Sequence, residues 1–256
     1  MFTAEVSIQI QQPEHEEQSD HAINTLLGCL RMNGQTLGNE WPIAKKRGHF
    51  LIYVMLPKKD SMEPVFHKKY VQRSIQALAS AGLASPVVKI IGEDPYSASA
   101  DNCKQRRSFI LFTNYVSVES PLRCGDCFSP VPLYEIPATN DEDYCNVISW
   151  QSDYQSCDTL QMNCSTGERF GTSQISRLDS SLSKRGVEIC AAIEKSTGVP
   201  TYYYLYRSNG RSSHQEQKRS CPSCGKSWLL DKQLHDRFDF LCETCRLLSN
   251  IAWNVR

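Results

Sequence analysis

Residues 49–56 read HFLIYVML, and the fold class follows from this stretch. Phe50–Leu56 is the longest unbroken apolar run in the chain, seven residues where a membrane span needs about 20. The N-terminus carries no basic region followed by an apolar core, so the sequence predicts a soluble cytoplasmic protein with no membrane partner. Seven apolar residues between polar flanks suit a central β-strand instead. Upstream, Gln35–Ala44 is expected to pair with it across Lys45–Gly48. Before that, Pro13 precedes an amphipathic helix over Glu14–Met32, with Ala22, Ile23, Leu26, Leu27 and Leu30 on one face and Asn33-Gly34 as its stop. Thr3–Ile10 (TAEVSIQI) alternates, placing Ala4, Val6, Ile8 and Ile10 on one side of a strand. Downstream, Pro64 opens a second helix with Val65, Val71, Ile75, Leu78 and Ala79 inward, ended by Gly82, and Pro86–Ile91 reads as a strand. The order β-α-β-β-α-β predicts a ferredoxin-like sandwich over residues 1–100, two helices on one face of an antiparallel sheet.

The remainder reads as a second α+β segment, residues 101–207, a polar linker at 208–219 and a small module at 220–256. Ser108–Val116 suits a strand, while Pro121, Pro130, Pro132 and Pro137 make the following stretch irregular. Glu142–Gln161 and Ser180–Ser196 suit helices, the second ended by Gly198, and Thr201–Arg207 (TYYYLYR) has strand composition. The whole is an α+β protein.

Twelve cysteines in 256 residues, with no export signal, argue against a disulfide framework, and paired spacings in a reducing compartment point to metal. Cys221, Cys224, Cys242 and Cys245 form C-x2-C-x17-C-x2-C, the spacing of a four-thiolate zinc ribbon. Four thiolates close the shell, so the zinc is expected to be structural. Cys124-Gly125-Asp126-Cys127 is a further C-x2-C and a candidate second metal site, with Cys157 and Cys164 as conceivable partners. Seven residues on a helix separate those two by about 10 Å, which demands a break between them. Phe128-Ser129-Pro130 after the pair disfavours a thioredoxin-like helix. Cys29, Cys103, Cys145 and Cys190 read as small apolar fillers.

The chain is neutral, 28 basic against 28 acidic side chains, yet residues 124–168 contain 8 acidic and no basic ones. Phe128, Tyr134, Tyr144, Trp150 and Tyr154 are interleaved with these carboxylates. Asp141, Glu142, Asp143, Trp150, Asp153 and Tyr154 are therefore candidates to dock on a basic protein cleft, the acids mimicking a phosphate row and the aromatics anchoring. For nucleic acid the candidates are Lys226, Trp228, Arg237 and Arg246 of the C-terminal module, although Asp231, Asp236, Asp239 and Glu243 dilute its charge. GxSxG, HExxH, Walker A and GxGxxG motifs are absent from the sequence, and no histidine has a recognisable nucleophile nearby, so catalysis is not expected.

The stretches SPLRCGDCFSPVPLYEIP (120–137), SCDTLQMNC (156–164), TGVPTYYYLYR (197–207), CPSCGKSW (221–228) and FDFLCETCRLLSNIAW (238–253) resemble an uncharacterised bacterial family described as zinc-ribbon-containing and nucleic-acid-binding. The resemblance implies a structural zinc at Cys221, Cys224, Cys242 and Cys245 and no established reaction. Such proteins are also similar to ones encoded beside secreted toxins, which implies an immunity protein. The sequence thus predicts a noncatalytic binding protein that blocks a type VI-like nuclease toxin, the alternative being a zinc-ribbon nucleic-acid-binding protein.

Overall fold

The computed structural model describes residues 1–12, 16–140 and 142–256, with the side chains of Glu16 and Glu17 also outside the description. The expected helix start at Pro13 and Glu14, and the candidate Asp141, lie outside the described residues. The chain is a mixed α+β protein with two sheets that divides into two compact units: residues 1–100 with 118–120 and 129–145, and residues 101–117 and 121–128 with 146–256.

The first unit runs β1 (Phe2–Gln9), α1 (Glu16–Met32), β2 (Ile43–Lys46), β3 (His49–Leu56), α2 (Lys69–Ser80) and β4 (Val87–Glu93). Its strands lie in the order β2-β3-β1-β4, every neighbouring pair antiparallel. β1 and β3 pair along their full lengths, from Phe2 opposite Leu56 to Gln9 opposite His49. Because side chains alternate along a strand, Ala4, Val6 and Ile8 share one face with Phe50, Ile52, Val54 and Leu56. Ala22, Ile23, Leu26, Leu27 and Leu30 of α1, with Val71 and Leu78 of α2, cover that face and complete a single core. The second helix begins later than the proline suggests. Pro64–Phe66 makes a separate 3-10 turn, α2 starts at Lys69, and Val65 is left 78% exposed.

The second unit contains β5 (Phe109–Leu111), β6 (Leu122–Cys124), α3 (Cys145–Met162), α4 (Glu168–Ser176), α5 (Ser181–Thr197), β7 (Thr201–Leu205), α6 (Ser213–Gln217), β8 (Leu229–Leu234), β9 (Phe238–Cys242) and β10 (Leu247–Ser249). Its sheet has the order β6-β5-β7-β10-β9-β8, with β7 parallel to both β5 and β10. A parallel strand flanked on both sides is covered on both faces, and all five residues of β7 are buried. On one face Tyr203 lies edge-on to Trp150 at 6.1 Å and hydrogen-bonds the Ser183 hydroxyl at 3.2 Å. On the other, Tyr202 and Tyr204 join Ile110, Phe112, Phe238 and Leu248. α5 is closed at both ends: the Ser180 side chain accepts from the Ser183 amide at 3.0 Å, and Gly198 adopts φ 71° after its last turn.

Two expectations about the C-terminal region need correction. The stretch 208–219 is not a bare linker, because it carries α6 and the carboxylate of Glu216, only 4% exposed, which Arg207 Nη2 meets at 2.7 Å and Arg219 Nε at 3.5 Å. Residues 220–256 do not form a free-standing module either. β10 pairs with β7, Leu247 opposite Tyr203, so the cysteine hairpin continues the sheet of the second unit.

Gly186 lets α5 approach β7 closely, since a Cβ there would lie 2.2 Å from a Tyr203 ring carbon and 2.9 Å from Trp150 Nε1. Overpacking of this kind costs about 1–3 kcal/mol. Urea denaturation of Gly186→Ala should show a midpoint loss of that size. Gly28→Ala in α1, where nothing lies within 4 Å, should instead gain roughly 0.5–1 kcal/mol from helix propensity.

Candidate metal centres

Cys221 and Cys224 lie in the turn before β8, Cys242 ends β9 and Cys245 lies in the turn from β9 to β10. One ligand atom from each lies within 4.8 Å of all the others, Cys224 Sγ and Cys242 Sγ being 3.7 Å apart. The Gly225 amide donates to the Cys221 carbonyl at 2.9 Å, closing a turn in which the amides of Ser223 and Cys224 are aimed at the Cys221 sulfur. The residue after each pair is left-handed, Gly225 at φ 72° and Arg246 at φ 54°. The Lys226 amide, hydrogen-bonded to the Cys224 sulfur, is the main reason that thiol is pulled down to about 7, whereas burial holds Cys242 up at about 12. Four soft donors so grouped can hold one metal ion and leave no coordination position open.

The surroundings brace this cluster. Trp228 packs on Phe240 at 5.1 Å, and the Arg219 guanidinium lies over both rings, 5.0 and 4.4 Å from their centroids. The Trp228 indole donates to the Arg219 carbonyl at 2.8 Å. Burial lowers Arg219 to about 10, and the neighbouring Glu216 carboxylate works against that fall.

The second C-x2-C finds its partners outside the cysteines considered from spacing. Asp101, Cys103, Cys124 and Cys127 form another group whose ligand atoms lie within 4.8 Å of one another. Cys103 and Cys127 sulfurs are 3.8 Å apart, and Asp101 Oδ1 lies 3.1 Å from the Cys127 sulfur. Cys157 is instead buried on α3, and the Cys164 thiol faces the carbonyls of Gln161 and Met162. Among the described residues neither sulfur belongs to a group of ligand atoms close enough to share one ion. Cys103, expected as an apolar filler, is thus a candidate ligand. Sequence reasoning also missed Asp101, which sits in an irregular loop.

The docking candidates of the acidic stretch divide. Trp150 is wholly buried and Tyr154 is 2% exposed; both pack within the second unit, so neither is a surface anchor. Asp143 Oδ1 caps α3 by accepting from the Cys145 amide at 3.0 Å. Other segments neutralise much of the remaining charge. Arg107 pairs with Asp126 at 2.5 Å, Lys58 with Glu135, Lys69 with Glu142 at 3.6 Å, and Arg185 with Asp153 at 2.5 Å. Glu142 and Asp153 keep about half their side-chain area exposed.

The nucleic-acid candidates are more committed still. Trp228 is 3% exposed, and Arg237 lies over the Phe112 and Phe128 rings at 4.9 and 5.7 Å. Arg246 forks onto the Glu194 carboxylate, Nη2 to Oε1 at 2.9 Å and Nε to Oε2 at 3.0 Å. Lys226 alone of the four is exposed.

In the first unit, a cavity of about 350 Å³ is lined by Cys29, Met32, Lys68, Tyr70 and Asp143 among others. Burial lowers Lys68 to about 8, with Asp143 opposing the fall, and its ammonium sits 4.0 Å above the Tyr144 ring. Burial also raises the Cys29 thiol, so the cavity presents no activated sulfur nucleophile.

Three family descriptions match successive parts of the chain, each a domain of unknown function: DUF8589 over residues 1–92, DUF2310 over 103–206 and DUF8594 over 210–255. An uncharacterized protein of Haemophilus influenzae is 37% identical over 243 residues, covering 93% of each chain. Another from the same organism is 40% identical over 166 residues, 65% of this chain and 82% of its own. A solved structure described as an antibiotic biosynthesis monooxygenase of Deinococcus radiodurans aligns with 41% of this chain and all of its own, at 17% identity and a TM-score of 0.27, a likeness that carries no argument. No helix among the described residues is long and apolar enough to cross a membrane.

The buried Glu216 joins Arg207 and Arg219 beside the first cluster. Removing one partner of a buried ionic group costs about 3–5 kcal/mol because the rest stay desolvated and unpaired. Urea denaturation of metal-loaded Glu216→Gln should therefore show a loss near the lower figure, Arg207 being partly exposed.

Proposed function

The chain belongs to the family of these two Haemophilus influenzae proteins, and on that footing we propose that it is a noncatalytic, cytoplasmic binding protein whose C-terminal cysteines hold a structural zinc ion. The observation that carries this reading is the closed set of four thiols at Cys221, Cys224, Cys242 and Cys245, which offers zinc a complete tetrahedral shell and no place for substrate. Zinc suits four thiolates better than the hard cations do. In these terms the C-terminal hairpin is a zinc ribbon built onto a larger sheet. The first unit, with strand order β2-β3-β1-β4 and two crossing helices, is a ferredoxin-like sandwich.

The partner in this reading is a protein, specifically a nuclease toxin with a basic cleft. Support comes from what remains at the surface. Glu142 and Asp153 are accessible acids, whereas Trp228, Arg237 and Arg246 are held by contacts within the chain. A phosphate row needs free cations, and an arginine forked onto a carboxylate must give that pair up first.

The test is a copurification of the tagged, zinc-loaded full chain from its native host, followed by assays on the eluate. The expected result is a co-eluting nuclease that the chain inhibits at one-to-one stoichiometry, with association slowed about tenfold by Glu142→Lys with Asp153→Lys through lost steering. Salt-sensitive binding of the pure chain to random-sequence DNA or RNA, abolished by Lys226→Glu with Arg246→Glu, would replace this reading by the nucleic-acid one.

A further inference from the structure

We propose that Asp101, Cys103, Cys124 and Cys127 bind a second zinc ion, with the Asp101 carboxylate as the fourth ligand. The proposal concerns a different site from the C-terminal cluster and does not depend on the nature of the partner.

The donors stand at the spacing a zinc ion needs. In a tetrahedral site with zinc–sulfur bonds of about 2.3 Å, sulfurs stand roughly 3.8 Å apart. Cys103 and Cys127 already stand at 3.8 Å, matching the 3.7 Å between Cys224 and Cys242. Three residues bring thiols and one a carboxylate, so a single divalent ion completes its shell from protein donors alone.

The backbone repeats the turn of the C-terminal cluster. The Phe128 amide donates to the Cys124 carbonyl at 2.8 Å, as the Gly225 amide does to Cys221 at 2.9 Å. The amides of Asp126 and Cys127 are aimed at the Cys124 sulfur, as those of Ser223 and Cys224 are at Cys221. The residue after the pair is again left-handed: Phe128 at φ 62°, against 72° for Gly225 and 54° for Arg246. A phenylalanine adopts that conformation only where its surroundings hold it there. Its ring is caught between Phe112 at 5.2 Å, Phe238 at 5.5 Å and a stacked His235 at 5.1 Å. Gly125 is required as well, since a Cβ there would lie 1.9 Å from the Ser108 hydroxyl.

The Asp101 side chain is fully buried, with Oδ1 turned to the Cys127 sulfur and to the Cys103 amide at 3.2 Å. Its other oxygen, Oδ2, takes Arg106 Nε at 2.5 Å. A ligating carboxylate is commonly held from behind in this way, one oxygen for the metal and one for an outer partner.

The consequence is mechanical. The Gly125 carbonyl in the knuckle accepts from His235 Nε2 at 2.9 Å, and His235 lies in the turn between β8 and β9. A metal at the knuckle fixes the turn of the hairpin whose other end carries the four C-terminal cysteines.

The experiment is zinc analysis and differential alkylation of the full chain purified without chelator. The expected content is two zinc ions per chain, falling to about one in Cys103→Ser and in Cys224→Ser and to none in the double variant. With zinc bound, Cys127 should be alkylated at least tenfold more slowly than the similarly exposed Cys164, and a strong chelator should erase the difference. The alkylation arm uses the unmodified chain, so misfolding of a variant cannot decide the result. One zinc per chain that persists in Cys103→Ser, or Cys127 reacting as fast as Cys164 in zinc-loaded protein, would overturn the proposal while leaving the C-terminal site intact.

Discussion

The second unit depends on the burial of β7. Thr201–Leu205 contributes three tyrosines in succession, and alternation sends Tyr203 to Trp150 and α5 while Tyr202 and Tyr204 enter the opposite aromatic cluster. β10 docks against this strand in parallel, which requires a long crossover. The intervening residues include α6, Cys221 and Cys224, β8 and β9. The C-terminal cysteines are therefore positioned by a strand that contains none of them. A four-thiol cluster in an isolated ribbon would need the metal for nearly all its folding free energy. Here Phe240 and Trp228, stacked under Arg219, and the pairing of Leu247 with Tyr203 share that task.

Charge follows the same pattern of distant closure. Residues 124–168 have no cation of their own, and reading them alone overstates their field. Arg107 and Arg185 lie outside the stretch in sequence yet sit on its carboxylates in the second unit, and Lys58 and Lys69 do the same in the first. Glu142 in the first unit and Asp153 in the second each keep about half their side-chain area exposed. Exposed ion pairs of this sort are worth little in stability. A competing cation on a partner can therefore displace the resident one at small cost.

Legibility from sequence tracked how local each signal was. β1 and β3 were readable because period-two burial is written in consecutive residues, and α5 because Ser180 and Gly198 mark its ends. β5 falls within the strand expected at Ser108–Val116, but β6 and β10, of three residues each, carry no period to detect; β6 forms on the edge of β5, and β10 between β7 and β9. The C-terminal cysteines were readable because both halves of the site are pairs. Asp101 and Cys103 were not, since they precede Cys124 by more than twenty residues in a loop without a motif. The left-handed residue after the second cysteine was a usable signal only where it is glycine, at Gly225; at Phe128 and Arg246 it is hidden. Trp150 and Tyr154 misled for the converse reason: aromatics interleaved with acids look like an interface, but their helix packs them inward.

The β8–β9 hairpin brings these threads together. At its base stand the four C-terminal cysteines, and at its tip His235 reaches the Gly125 carbonyl and stacks on Phe128. β6 and β8 are the two edges of a six-stranded sheet, so this contact joins residues from opposite ends of the strand order. An open sheet presents unpaired edges that invite association. A curl that lets the turn after β8 meet the knuckle after β6 limits that exposure and encloses Phe112, Phe128 and Phe238 between them. Arg237, lying over two of those rings, covers the cluster from the hairpin side. Of the residues that make this part of the chain look like a nucleic-acid reader, Trp228 and Arg237 pack on its aromatic rings and Arg246 pairs with Glu194, while Lys226 stays exposed.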